Sequence, residues 1–268
     1  MGNALTDKMN FFLGGHDLEM STIRDLLERH APDSFCDKGL AWGARASDYQ
    51  AEIEGALGRK QTPVLIELTV DLDLPKDRIV VIDHHGQRAG STQPTSLHQV
   101  FELLNLPATQ WTRWHELVAA NDRGYVPAML DLGATNEEVS AIRAADRKAQ
   151  GVTPEEEAAA EEALSSLRVL ADGALAVATL PHAHTAPLCD RLEPALGGIG
   201  FENLLIDSPD QLNFFGQGYL IYALNEDFPG GWYGGALPER GYWGHQTASL
   251  PLVRNFLLVK LACNSPVR

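Results

Sequence analysis

The 268-residue sequence is short of basic residues, with 21 Lys and Arg against 36 Asp and Glu and a formal net charge of −15. Proteins that hold long duplex nucleic acid by its phosphates are usually basic, so this shortage argues against that class. It does not exclude a small anionic substrate held through metal ions. The three cysteines, Cys36, Cys189 and Cys263, lie far apart and form no Cys-x-x-Cys pair, which argues against a disulfide framework or a cysteine zinc site.

The sequence also lacks an apolar run of the roughly 18 residues that a membrane-spanning helix needs. Its first 15 residues contain no basic segment followed by a long apolar stretch, as a secretory signal would. Together with the unpaired cysteines, these absences predict a cytoplasmic protein that has no membrane partner.

Short apolar segments alternate with segments of helical periodicity. Met9–Leu13, Val64–Val70 and Ile79–Ile82 are predicted strands, whereas the apolar positions between Leu97 and Leu104 repeat at helical spacing. This alternation predicts an α/β fold with a mainly parallel N-terminal sheet and flanking helices.

A domain boundary is predicted after residue 150. Thr153 can cap a helix, Pro154 suits its first turn and Glu156 completes a capping box. An apolar stripe continues the predicted helix to Ala171. The predicted order is an N-terminal domain over residues 1–150, a linker helix over 151–173 and a smaller α/β C-terminal domain over 174–268.

The strongest chemical signal is the strand Ile79–Ile82, which runs directly into Asp83, His84, His85 and Gly86. Ligands of open parallel sheets bind at the carboxyl ends of the strands. An Asp and two His there suit a divalent metal ion, and Gly86 permits the turn that would let both histidines serve one site. The alternative is a polar strand end with solvated histidines.

The Asp-His-His string resembles the third motif of the DHH phosphoesterase superfamily. That superfamily includes RecJ-type single-strand exonucleases, phosphodiesterases of short oligonucleotides and cyclic dinucleotides, and manganese-dependent pyrophosphatases. The resemblance implies an N-terminal α/β domain with four acidic or histidine motifs, a linker helix and a smaller C-terminal domain that closes over the substrate. It covers nearly the whole chain in order, although only the third motif is close to literal.

The first family motif is a strand followed by paired carboxylates, and Asp17 and Glu19 match it after the predicted strand Met9–Leu13. Many members carry a histidine four residues before the first Asp, where this chain has Leu13. The adjacent His16 is the candidate replacement. Asp17 could instead cap the helix that follows it.

The second motif is a single acid at the end of the next strand, for which Glu67 and Asp71 are both candidates. The usual family position favours Glu67, and a carboxylate in so apolar a segment would be costly to bury without a partner such as a metal. The fourth motif, an acid after a helix, is matched by Asp122. An ordinary turn at Asn121 and Asp122 is the alternative.

The resemblance implies two divalent ions, with Mn²⁺ favoured and Mg²⁺, Co²⁺ and Zn²⁺ as alternatives. Asp83 would orient a histidine, and His85 would contact the phosphate. Two ions that share a carboxylate can activate water and stabilise both the attacking and the leaving oxygen. The implied metal ligands are Asp17, Glu19, Glu67, His84 and Asp122, with His16 as an addition.

In the C-terminal domain, family members often contact substrate through a Gly-Gly-Gly-His segment, which the tail of this chain resembles without matching. Aromatic residues beside it could stack on bases, or the region could be a tight turn packed by aromatic rings. The implied substrate-binding residues are Gly234, Gly235, Gly244, His245 and Arg123. The aromatic residues are Trp232, Tyr233, Tyr242 and Trp243.

These residues predict a phosphoesterase that hydrolyses a nucleotide or short oligonucleotide by metal-activated water. Its expected partner is a small phosphate ester or a short oligonucleotide, not long duplex nucleic acid, and a homodimer stays open. One alternative is a pyrophosphatase-like hydrolase. The other is a degenerate, non-catalytic nucleotide sensor, which the missing first-motif histidine motivates.

Overall fold

The computed structural model describes residues 8–264. Residues 1–7, which include part of the segment considered for a secretory signal, and residues 265–268 lie outside that range. The chain divides into two compact units. The first unit runs to His84 and also contains Gln93–Asp122, while the second contains His85–Thr92 and the chain from Arg123 onward.

The first unit is built on a four-stranded parallel sheet. Its elements are β1 (Met9–Leu13), α1 (Leu18–His30), β2 (Phe35–Cys36), α2 (Gln50–Gly58), β3 (Thr62–Ile66), β4 (Val80–Ile82), α3 (Ser96–Leu103) and the first part of α4 (Arg113–Asp131). The strand order is β2-β1-β3-β4. Phe11, Phe12 and Leu13 are completely buried, as in a parallel strand that is covered on both faces.

Strands β1, β3 and β4 end level with one another. Leu13 pairs with Ile66, and Ile66 pairs with Ile82, so the loops that follow β1, β3 and β4 leave the sheet at the same edge. Strand β3 is shorter than the predicted strand because Glu67 has a φ of +51°, which ends the extended backbone. The sheet therefore brings the first three candidate motifs to one edge.

The second unit contains a six-stranded mixed sheet. Its elements are α5 (Asn136–Ala149), α6 (Pro154–Ser165), β5 (Arg168–Leu170), β6 (Leu175–Thr179), α7 (Ala186–Leu192), β7 (Leu204–Ser208), β8 (Gln211–Gln217), α8 (Gly218–Asp227), β9 (Trp232–Gly234), β10 (Arg240–His245) and α9 (Leu250–Asn264). The strand order is β5-β6-β7-β8-β10-β9. Phe214, Trp243 and Leu257 are completely buried in its core.

The predicted linker helix is present but shorter than its apolar stripe suggests. Helix α6 begins with the predicted capping box, in which Glu156 N donates to Thr153 Oγ1 and Thr153 N donates to Glu156 Oε2. It ends at Ser165, and Ala171 follows the edge strand β5. The division into domains at residue 150 stays a prediction.

The predicted α/β class with a parallel N-terminal sheet is confirmed. Strands β8 to β10 and helices α8 and α9 were not predicted from the sequence. Of the helices between residues 8 and 264, none has the length and apolar character that crossing a bilayer requires.

Candidate metal centre

Four largely covered side chains of the first unit meet around one imidazole nitrogen. His84 Nε2 lies 2.5 Å from Asp122 Oδ2, and 3.4 Å from both Glu19 Oε2 and Glu67 Oε1. The four side chains are between 1% and 13% exposed. One ring nitrogen can donate at most one proton. Three carboxylates therefore converge on a point where the protein supplies a single nitrogen.

Glu19 is held at the start of helix α1. Asp17 caps this helix by accepting a hydrogen bond of 2.7 Å from Met20 N. Glu19 Oε1 accepts from Leu97 N, at 3.0 Å, and this bond ties the first turn of α1 to α3. Its second oxygen, Oε2, is the one directed at His84.

Glu67 is positioned by an unusual backbone turn at the end of β3. Its φ of +51° lies in the left-handed region, which side chains other than Gly adopt at an energetic cost. Glu67 N donates to Ile82 O at 2.8 Å, so the turn stays attached to β4. On the other side, a Cβ on Gly14 would lie 2.6 Å from Glu67 O. Glycine is therefore required at position 14 for the loop after β1 to pass this turn.

The charges of the cluster perturb one another strongly. Burial raises the pKa of Glu19 from 4.5 to about 7, with a further contribution from the charge of Asp122. Burial alone would lower the pKa of His84, but the charge of the nearby Asp122 and the close contacts with Glu19 and Glu67 outweigh it and raise that pKa well above its usual value. The metal-free cluster therefore retains protons that a bound cation would displace.

The residues of the cluster fit a divalent cation. Glu67, His84 and Asp122 each offer a ligand atom, and these atoms lie within 4.8 Å of one another. Carboxylate oxygen with imidazole nitrogen is a common donor set for Mn²⁺, Fe²⁺ and Zn²⁺. Among the described residues, Glu19 Oε2 and Asp122 Oδ2 are buried atoms without a hydrogen bond of acceptable geometry. Buried carboxylate oxygens in that state are stabilised by a cation.

Two of the predicted ligands lie elsewhere in the first unit. Asp17 takes the capping role described above, which was the alternative considered for it. His16 Nε2 faces Asp37 Oδ1 at 3.5 Å. Leu13, at the position of the family histidine, is completely buried in β1. The ligand roles of His16 and Asp17 stay predictions.

The structure also separates the two candidates for the second motif. Glu67 is part of the cluster, whereas Asp71 accepts hydrogen bonds from Ser47 N and Ser47 Oγ at 2.9 and 2.7 Å on the surface. Asp83 is half-buried, and its backbone oxygen accepts a hydrogen bond of 3.4 Å from Gln99. His85 begins the segment that belongs to the second unit.

In the second unit, His85 lies with its ring centroid 6.4 Å from that of Tyr242. Arg123 is half-buried in α4. The roles proposed for Asp83, His85 and Arg123 stay predictions.

The glycines predicted to bind substrate lie in and beside two paired strands. A Cβ on Gly234 would lie 2.6 Å from Tyr242 Oη, and a Cβ on Gly244 would lie 2.3 Å from the Trp232 ring. Gly235 has a φ of +98° at the end of β9. Aromatic rings that pack over Gly234 and Gly244 therefore explain why these positions are glycine. This favours the alternative that the region is a turn packed by aromatic rings. Substrate binding by these glycines stays a prediction.

The side chains of His245 and Trp243 stabilise the fold of the second unit. His245 Nδ1 accepts from Thr247 N and Ala248 N, both at 3.0 Å, and Nε2 lies 3.2 Å from Pro229 O. The ring thereby orders the turn before α9. Trp243 is completely buried, so the expectation that it stacks on a base is wrong. A contact of His245 with substrate stays a prediction.

No protein-family model and no curated protein matches this chain, but solved structures share its fold. A DHH-domain protein described as a member of a family of ribosomal proteins has a TM-score of 0.50 and 14% identity, over 97% of this chain and 88% of its own. RecJ from Thermus thermophilus, in complex with Mn²⁺, has a TM-score of 0.50 and 16% identity, over 99% of this chain and 54% of its own. The chain therefore has the fold of DHH-domain proteins.

Proposed function

We propose that this chain is a divalent-metal-dependent phosphoesterase that hydrolyses a phosphodiester of a nucleotide or short oligonucleotide. The observation that carries the proposal is the convergence of three largely covered carboxylates on His84 Nε2 at the carboxyl edge of a parallel sheet. The fold shared with a RecJ that binds Mn²⁺ supports a divalent ion at this edge and favours Mn²⁺.

Glu19, Glu67, His84 and Asp122 are the residues that would hold the ion. A divalent ion bound there lowers the pKa of water and offsets the negative charge that develops on phosphate oxygens. The hydrogen bond from Leu97 N fixes the first of these carboxylates, so little reorganisation is needed when a ligand binds.

Further roles are proposed from the resemblance. Asp83 would orient a histidine, and His85 would contact the phosphate. A second ion would use Asp17 and share Glu67, and Asp17 would then exchange its hydrogen bond with Met20 N for the ion. The number of ions is thus a measurable part of the proposal.

The substrate class follows from the charge of the chain. A surplus of 15 acidic residues repels long polyanions, whereas the oxygens of a short phosphate ester would be attracted directly by a divalent ion held at one site. We therefore propose a small substrate and exclude long duplex nucleic acid as the main one. The unpaired cysteines favour the cytoplasm as its location, and a homodimer stays a prediction.

The direct test is hydrolysis by the full chain after dialysis against EDTA and addition of Mn²⁺. The panel comprises a 5′-phosphorylated dinucleotide, a cyclic dinucleotide, pyrophosphate and a long duplex DNA. We expect the dinucleotides to be cleaved fastest and the duplex to be left intact. Faster cleavage of pyrophosphate would favour the pyrophosphatase-like alternative.

A matched pair of substitutions links that activity to the cluster. Asp122→Asn should lower the dinucleotide rate by about 100-fold or more, because it removes a charge from the proposed ion. Asp71→Asn makes the same type of substitution at an Asp on the surface and should leave the rate near that of the wild type. No turnover by a folded protein with bound Mn²⁺ would reject the proposed activity.

A second candidate function is a nucleotide-binding protein without catalytic activity. The observation that favours it is the engagement of Asp17 as a helix cap and of His16 with Asp37, which leaves one assembled cluster among residues 8–264. Counting bound Mn²⁺ by mass spectrometry or calorimetry separates the two. One tight ion without turnover supports the binding protein, and turnover rejects it.

A further inference from the structure

Residues 39–45 of the first unit form a loop, here called the Trp42 loop, that is attached to the sheet edge at both ends. At its start, Leu40 forms a parallel β-bridge with Gly15, and His16 N donates to Leu40 O at 2.9 Å. The backbone nitrogen of Trp42 lies 2.9 Å from where a Cβ on Gly15 would be. The loop therefore packs directly on the chain that leaves β1.

The far end of the Trp42 loop is attached to the chain that leaves β3. Arg45 forms a parallel β-bridge with Thr69. Thr69 N donates to Ala44 O at 3.0 Å, and Ala46 N donates to Thr69 O at 2.9 Å. Backbone hydrogen bonds on both sides thus hold the loop in place.

Both attachment points are close to the metal centre along the chain. Glu19 follows Gly15 by four residues, and Glu67 precedes Thr69 by two. Even fully extended, chains of that length span only about 14 Å and about 7 Å. The two attachment points of the Trp42 loop therefore lie near the backbone of two residues whose carboxylates would hold the ion.

Trp42 stands at the tip of this loop and is 54% exposed. Gly39 and Gly43 have φ values of +63° and +85°, so the backbone turns sharply on either side of it. Single exposed apolar residues are common on protein surfaces. Trp42 differs because its backbone is anchored to Gly15, on the chain segment between β1 and Glu19, and an aromatic ring on an anchored backbone loses little conformational freedom when it binds.

We propose that Trp42 is a stacking platform for a nucleobase of the substrate whose phosphate is bound at the metal centre. This inference rests on the proposed function and narrows it to substrates that carry a base. Every nucleobase has a π face, so the platform should accept all of them. Stacking on one aromatic side chain contributes roughly 5- to 150-fold in binding.

The kinetic test compares a 5′-phosphorylated dinucleotide with the same molecule lacking its bases. Trp42→Ala should raise KM for the dinucleotide by about 10-fold and leave KM for the abasic compound unchanged. Trp42→Phe should recover most of the loss, because a smaller ring still stacks. Trp114→Ala is the matched control, since Trp114 is also exposed, at 43%, on the first turn of α4. It should behave as the wild type.

An equilibrium measurement separates this inference from the proposed activity. Calorimetry with adenosine monophosphate and with ribose 5-phosphate, in the presence of Mn²⁺, needs no turnover. The platform is supported if the wild type binds adenosine monophosphate more tightly than ribose 5-phosphate and Trp42→Ala removes this difference. That result counts even if the wild type hydrolyses nothing. Equal binding by the wild type and Trp42→Ala, or equal KM changes for the two kinetic substrates, overturns the platform while leaving hydrolysis as a separate result. Absence of nucleotide binding by the wild type also overturns it.

Discussion

At the scale of single residues, the cluster around His84 is suited to binding a cation. Three carboxylates within 3.4 Å of one nitrogen repel one another unless protons or a cation compensate them. Burial and the charge of Asp122 raise the pKa of Glu19, so that without an ion a proton compensates part of this charge. Ionisation of the buried Glu19 therefore lowers the stability of the fold in the absence of an ion.

This cost predicts a specific pH dependence for Glu19. Because burial raises the pKa of Glu19 from 4.5 to about 7 in the fold, its contribution to stability is complete below pH 4.5 and is lost as the pH rises through 7. Glu19→Gln keeps an acceptor for Leu97 N but cannot ionise. In EDTA, the two proteins should melt alike near about pH 5, and the variant should melt a few degrees higher near about pH 8.

Thermal unfolding across this pH range measures the difference. Glu162→Gln is the control, because it makes the same change on the exposed surface of α6 and should follow the wild type at every pH. Parallel curves for the wild type and Glu19→Gln would contradict the raised pKa of Glu19.

At the scale of elements, a buried ion network joins α4, α5 and α7 in the second unit. Arg143 Nε donates to Asp190 Oδ1 at 2.8 Å, and its Nη1 donates to Asp146 Oδ2 at 2.7 Å. Tyr125 Oη donates to the same Asp190 oxygen at 2.8 Å. The Arg143 guanidinium lies 4.6 Å from the centre of the Tyr125 ring. Tyr125 has φ +58° and ψ −149°, a conformation that Gly favours. The network holds this kink in α4 in place.

Arg143→Met should therefore lower the free energy of unfolding by about 3 kcal/mol or more, because Asp146 and Asp190 lose a buried cation. Lys148→Met, on an exposed position of the same helix, should change it by less than about 0.5 kcal/mol. Urea unfolding gives both values. Losses of equal size in the two variants would show that the network does not stabilise the unit.

Elements were predictable from sequence where local rules act alone. The capping box before α6 depends on Thr153 and Glu156, which are three positions apart, and the structure contains it as predicted. Strands β9 and β10 were missed because their glycines suggested turns. Gly234 and Gly244 instead lie under the rings of Tyr242 and Trp232, a contact between separate strands that no local pattern reveals.

At the scale of the whole molecule, the proposed ion should couple to stability. A ligand that binds only the folded state at about 100 times its Kd stabilises that state by about 2.7 kcal/mol. Mn²⁺ added to the EDTA-treated protein should therefore raise its melting temperature by several degrees. Asp122→Asn should lose this response, and Glu162→Gln should keep it. A wild type whose melting temperature ignores Mn²⁺ would contradict a metal site at the cluster.

The sequence by itself determined the α/β class and indicated a candidate site in the segment from Asp83 to His85. Both follow from local properties, since periodicity reports the elements and polar ligands after an apolar strand indicate a site at its carboxyl end. The paired acids after β1 were recognisable for the same reason. These signals require no knowledge of which strands are neighbours.

Only the tertiary structure decided which of the candidate residues meet. Glu67 joins His84 while Asp71 does not, because the left-handed turn directly after β3 directs the chain toward β4. Asp17 completes the hydrogen bonds of a helix end, and Trp243 fills the core of a sheet that local patterns did not indicate. Which side chains meet depends on strand order and on the direction in which each chain leaves its strand, and both are properties of the packed sheet.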